Sequence, residues 1–119
     1  MTALLPFIRV PDVGYAKSWY EGIGFTCVGT HEEPGCGLDW AMMCLGEAVF
    51  MLYIQLENTI SNANNCGLYF KMDSIEGLQE KLEGVATIIE TVAKTAYGRK
   101  EISFYDCYGL QVTFSSNPD

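Results

Sequence analysis

The side chains able to do chemistry are few and scattered. His31 is the only histidine and stands in the polar stretch GTHEEPGCG, while the five cysteines, Cys27, Cys36, Cys44, Cys66 and Cys107, form no C-x-x-C pair. A structural zinc site needs roughly four convergent thiolate or imidazole donors. None is expected here, and His31 reads as a surface imidazole in a loop. The odd cysteine count argues against a complete disulfide framework, so the thiols read as reduced. Cys44 has no histidine to activate it as a nucleophile. Glu101 could serve as a general base, with Tyr105 or Ser103 donating to an oxyanion, if its pKa were raised. The richer set is aromatic. Phe7, Trp40, Tyr53, Tyr69 and Tyr105 offer flat surfaces on which a small molecule stacks while polar groups orient it.

An internal repeat indicates how those side chains are positioned. Phe7-Ile8-Arg9-Val10 and Tyr69-Phe70-Lys71-Met72 share aromatic, apolar, basic, apolar order 62 positions apart, and Phe50-Met51-Leu52 matches Val112-Thr113-Phe114 at the same offset. Two equivalent halves follow. In the first, LLPFIRV reads as a strand and Asp12 to Glu21 as a helix with Val13, Ala16, Trp19, Tyr20 and Ile23 at helical spacing; Trp19 and Tyr20 are assigned to the core. Phe25 to Thr30 is a short strand followed by a loop to Gly37. LDWAMMCL and AVFMLYI are two more strands around Gly46. The second half repeats the order: GLYFKM, a helix opened by a capping box at Asp73-Ser74-Ile75-Glu76 and carrying Ile75, Leu78 and Leu82 on one face, then strands over 86–92, 99–106 and 110–115. Each half is therefore βαβββ, with an Asn-rich connection from Glu57 to Asn65.

Strand side chains alternate between faces, so parity sorts them. One parity is apolar: Leu4, Ile8, Val10, Ala41, Met43, Phe50, Leu52, Phe70, Ile102, Phe104, Val112 and Phe114 face the helices. The other is mixed and includes Arg9, Cys44, Lys71 and Ser103 beside the aromatic residues. Glu101 is the only acid in that mixed set, so it pairs either with a cationic ligand or with Arg9 or Lys71.

Composition bounds the rest. With 119 residues, 49% of them hydrophobic and 18% charged, the chain is long enough to bury a core as one domain over 1–119. No apolar run approaches the roughly 18 residues of a membrane span, and the N-terminus lacks the basic region of a secretion signal, so a cytoplasmic protein is expected. A formal net charge of −8 without a basic cluster works against nucleic acid and would draw a cationic ligand by long-range steering.

The stretches RVPDVGYAKSWYEGIGF and YGRKEISFYDCYGLQVTF resemble the opening and closing segments of the vicinal oxygen chelate superfamily, which includes glyoxalase I, extradiol dioxygenases and bleomycin-resistance proteins. Cys107-Tyr108 departs from the family's common turn. The resemblance implies an α+β fold in which two βαβββ modules, about 1–57 and 66–119, pair into a curved mixed sheet, a cup with helices outside. Superfamily enzymes hold a divalent ion with His, Gln or Glu on the first and fourth strands of each module. Carried onto this sequence, those positions are Leu5, Met51, Gly67 and Thr113, none a usual ligand. A register shift of one residue offers mostly apolar helix-face residues instead.

The resemblance therefore points to the metal-free, bleomycin-resistance-like branch. This implies a homodimeric small-molecule binding protein that sequesters an aromatic or cationic compound such as an antibiotic. No cofactor, metal, catalytic residue, nucleic acid or membrane partner is expected. The candidate ligand-binding residues are Phe7, Trp40, Met51, Tyr53, Tyr69, Glu101, Tyr105 and Thr113. The alternative is a metal-dependent lyase or dioxygenase of the glyoxalase type; a pure interaction module is a third class.

Overall fold

The computed structural model describes residues 1–56 and 66–118, so the connection expected at Glu57 to Asn65 lies outside the described residues. The chain divides into two compact units, Met1–Ser61 and Asn62–Asp119. The first contains β1 (Phe7–Val10), α1 (Val13–Gly22), β2 (Thr26–Glu33), β3 (Gly37–Leu45) and β4 (Ala48–Ile54). The second contains β5 (Gly67–Lys71), α2 (Leu78–Leu82), β6 (Thr87–Val92), β7 (Lys100–Tyr105) and β8 (Gln111–Ser116). Both have the βαβββ order.

In the first unit the strands lie in the order β1-β4-β3-β2. β1 runs parallel to β4 and the other pairs are antiparallel. Parallel neighbours need a long crossover, and α1, β2 and β3 supply it. Asp12 starts α1 by accepting a hydrogen bond from the Tyr15 amide at 2.9 Å. Val13, Ala16 and Tyr20 turn inward from α1 onto Ala41, Met43, Phe50 and Leu52. Tyr20, Phe25 and Phe50 meet edge to face at 5.0–5.7 Å, each such pair adding about 0.5–1.5 kcal/mol beyond its buried area. Trp19 is half-buried and packs against Tyr20.

The second unit repeats this plan as β5-β8-β7-β6 around Phe70, Leu82, Ile102, Phe104, Val112 and Phe114. The repeat extends to register: Phe7 pairs with Met51, and Tyr69, 62 positions later, with Thr113.

The structure corrects three sequence expectations. β1 begins at Phe7, leaving Leu4 and Leu5 exposed outside the strand. β2 continues to Glu33, so His31 sits on a strand; the chain turns over Pro34 to Cys36, where Gly35 and Gly37 adopt φ of +79° and +76°. The capping box at Asp73 to Glu76 does not form. Ser74 Oγ instead accepts the Glu76 amide at 3.1 Å, Gly77 takes φ +81°, and α2 is confined to Leu78–Leu82. Ile75 and Leu82 are nevertheless buried.

Phe50 stands at the centre of the first core with 1% of its surface exposed, whereas Val28 is 56% exposed. Phe50→Ala is expected to cost about 3–5 kcal/mol and Val28→Ala less than about 0.5 kcal/mol, as measured by urea unfolding. Equal effects of the two substitutions would contradict this placement of the core.

Candidate functional site

The face of the first sheet turned away from α1 carries a row that runs across three strands. Arg9 on β1 pairs in register with Tyr53 on β4, and Tyr53 with Trp40 on β3. A second row, Phe7, Met51 and Met42, lies beside it. The Arg9 guanidinium stands 5.8 Å from the Phe7 ring centroid and 5.5 Å from that of Tyr53, and its Nη1 donates to the Ile54 carbonyl at 3.0 Å. Phe7 and Tyr53 meet edge to face at 5.2 Å. Gly29 makes room for the indole: a Cβ there would lie 3.2 Å from Trp40 Cη2 and Cζ3. The result is a shallow groove of about 420 Å³ bordered by Arg9, His31, Asp39, Trp40, Tyr53 and Leu56.

A β-bulge lies at the border of this groove. Between His31 and Glu32 the register skips Asp39, and Asp39 Oδ1 lies 2.7 Å from His31 Nδ1. The hydrogen bond and the charge of Asp39 raise the His31 pKa above its ordinary 6.5, against a smaller opposing effect of desolvation. Glu33 adds to the rise.

The corresponding face of the second sheet is polar. Tyr69 donates to the Glu101 carboxylate and also lies 2.8 Å from Ser115 Oγ, while Tyr97 donates to the same carboxylate at 2.8 Å. Arg99 Nε donates to Ser115 Oγ at 2.9 Å. Desolvation pushes the Glu101 pKa up, but the hydrogen bonds from Tyr69, Tyr97 and Ser115 and the charge of Arg99 outweigh it and hold the group below its ordinary range. An ionised carboxylate held by two phenols is a poor general base, and its partners are neither Arg9 nor Lys71. Ser103, the other expected donor, is bonded to Thr113 at 2.8 Å. Tyr105 is 42% exposed at the end of β7.

The eight candidate residues thus fall on two faces: Phe7, Trp40, Met51 and Tyr53 on the first sheet, Tyr69, Glu101, Tyr105 and Thr113 on the second. Sequence reasoning missed the His31–Asp39 pair, because a bulge places Asp39, and missed Tyr97, because it lies in a loop with no periodicity. Arg9 was legible from parity alone.

The positions that the family resemblance assigns to metal ligands do not fit a divalent ion. In the first unit Leu5 and Met51 offer a hydrocarbon and a thioether. In the second, Thr113 is 8% exposed and bonded to Ser103. A Cβ on Gly67 would meet the Gln111 carbonyl oxygen at 3.0 Å, so a donor side chain there would force β5 and β8 apart. Elsewhere, His31, Glu33 and Asp39 bring one donor atom each to within 4.8 Å of one another, on the solvent-exposed end of the β2–β3 hairpin.

The pairing of His31 with Asp39 predicts a titration. In an NMR pH series His31 should titrate above 6.5, and Asp39→Asn should bring it back towards 6.5. Because the folded-state pKa is raised, the pair's stabilising contribution is full below the unfolded value of 6.5 and disappears as pH rises through the folded one. An unchanged pKa in Asp39→Asn would show that the pair does not form in solution.

No family model matches the sequence, and no curated protein matches it. Solved structures do. TioX from Micromonospora sp. ML1 superimposes with a TM-score of 0.76 at 15% identity, over 99% of this chain and 98% of that one. A bleomycin-binding protein complexed with bleomycin gives 0.71 at 13% identity, over 98% and 99%. A glyoxalase family protein from Bacillus cereus gives 0.72 at 19% identity, over 100% and 95%. Matches of this extent at such low identity establish architecture: the chain shares its fold with these bleomycin-binding and glyoxalase-family proteins.

Proposed function

We propose that this protein binds a small planar aromatic molecule, without a metal, on the open face of the first sheet. The observation that carries the reading is the Arg9–Tyr53–Trp40 row, which backs a groove of about 420 Å³, the size of a small-ligand site. Aromatic walls supply affinity by excluding water, and the flanking Arg9, His31 and Asp39 give direction to a polar substituent. The bleomycin-binding protein of the same fold is complexed with bleomycin, and sequestration of an aromatic compound such as an antibiotic is the class of function we extend to this chain. A cationic ligand is favoured by the net charge of −8 and by Glu101, but the Glu101 carboxylate is already engaged by Tyr69 and Tyr97.

The protein acts in this proposal as a cytoplasmic homodimer. All five cysteines are free, in keeping with a reducing compartment. The glyoxalase-type alternative requires ligand side chains that Leu5, Met51, Gly67 and Thr113 do not supply.

Two measurements separate these classes. Thermal melts against a panel of planar aromatic compounds should show stabilisation that grows with ligand concentration, about 2.7 kcal/mol at a hundred times Kd, and chelator should leave the melting temperature unchanged. Trp40→Ala should weaken the best binder by about 2 kcal/mol, close to thirtyfold. Stoichiometric divalent metal in the purified protein would overturn the metal-free reading. Unchanged affinity in Trp40→Ala would remove the indole from the site.

A further inference from the structure

The charge arrangement in the groove of the first sheet bears on which aromatic molecule fits, an inference that rests on the binding reading above. Here seven Lys and Arg face fifteen Asp and Glu, yet Arg9 has no carboxylate partner among the described residues. It is half-buried beside Phe7 and Tyr53, and Asp39, the carboxylate in the same groove, is taken by His31 at 2.7 Å. One guanidinium N–H is committed to the Ile54 carbonyl. The remaining donors form a planar fork of the kind that matches a carboxylate or phosphate.

The guanidinium also stands where a cationic ligand would go. The negative faces of Phe7 and Tyr53 attract a cation, and at 5.8 and 5.5 Å Arg9 already uses them. A second cation would meet like charge in a partly desolvated groove. The net charge of −8 opposes an anion at long range, but exposed charges are screened beyond about 8 Å at physiological salt. The charge inside the groove therefore decides.

We infer that the groove is selective for an aromatic anion, a flat ring system bearing a carboxylate or similar group: the ring lies against Trp40 and Tyr53 and the anion on the Arg9 donors that no described residue engages. This sharpens the aromatic ligand of the binding reading and reverses the sign that the acidic composition suggests.

The test uses three probes of one shape, 2-naphthoate, 2-naphthamide and 2-naphthylmethylammonium, titrated into the whole protein and followed by amide and indole NMR shifts. The carboxylate should bind at least about tenfold more tightly than the ammonium, with shifts at Arg9, Trp40 and Tyr53. Arg9→Met should bring the three affinities to within about twofold of one another, and Arg9→Lys should preserve the order. If Arg9→Met does not fold, the wild-type comparison alone decides. Ammonium binding as tight as carboxylate, at these same residues, would overturn the anion selectivity while leaving the binding surface intact. Absence of shifts on the first sheet with all three probes would overturn both.

Discussion

The parallel pairing of β1 with β4, repeated by β5 with β8, is the constraint from which the rest of each unit follows. Strands that run parallel cannot be joined by a tight turn, so a helix and two strands must intervene before the chain returns. That return brings residues 44 positions apart side by side in both units, as Phe7 with Met51 and Gly67 with Gln111 show. Alternation then sends one set of side chains beneath the helix and the next to the open face. A slip of one residue would expose Phe50 and Leu52 and bury Arg9 and Tyr53. The aromatic core of the first unit thereby fixes the register of the face proposed to bind.

The two sheets share this geometry and differ in chemistry. Where the first pairs Phe7 with Met51, the second pairs Tyr69 with Thr113; where Trp40 lies opposite Tyr53, Glu101 lies opposite Ser115. One face gathers rings and two thioethers around the Arg9 guanidinium. The other is a hydrogen-bonded lattice of hydroxyls closed on a carboxylate. Burial of the helix-side residues asks only for apolar bulk, so the open faces were free to diverge, which is how one scaffold accommodates unrelated sites.

Legibility in the sequence followed the same division. The strands of AVFMLYI and GLYFK could be read because each carries an uninterrupted alternation with a buried side, and the internal repeat assigns the same parity to both halves. The aromatic members of the first face, and Arg9, followed from parity. What escaped depends on departures from periodicity. The bulge that brings Asp39 to His31 leaves no signature in GTHEEPGCG; the left-handed turn at Gly77 shortened a helix whose apolar spacing looked sound; and Tyr97 reaches Glu101 from a loop. Local hydrogen bonding by Ser74 outcompeted a capping box that pattern alone favoured.

The central claim is that the open face of the first sheet, and not a metal at the family's usual ligand positions, is where this protein meets its ligand. A crystal structure of the protein with 6-bromo-2-naphthoate tests it most directly, since the bromine locates the ring by anomalous scattering. The account predicts a peak over Trp40 and Tyr53 with the carboxylate at Arg9. A fully occupied bromine site elsewhere, with the Trp40 face bare, would contradict it.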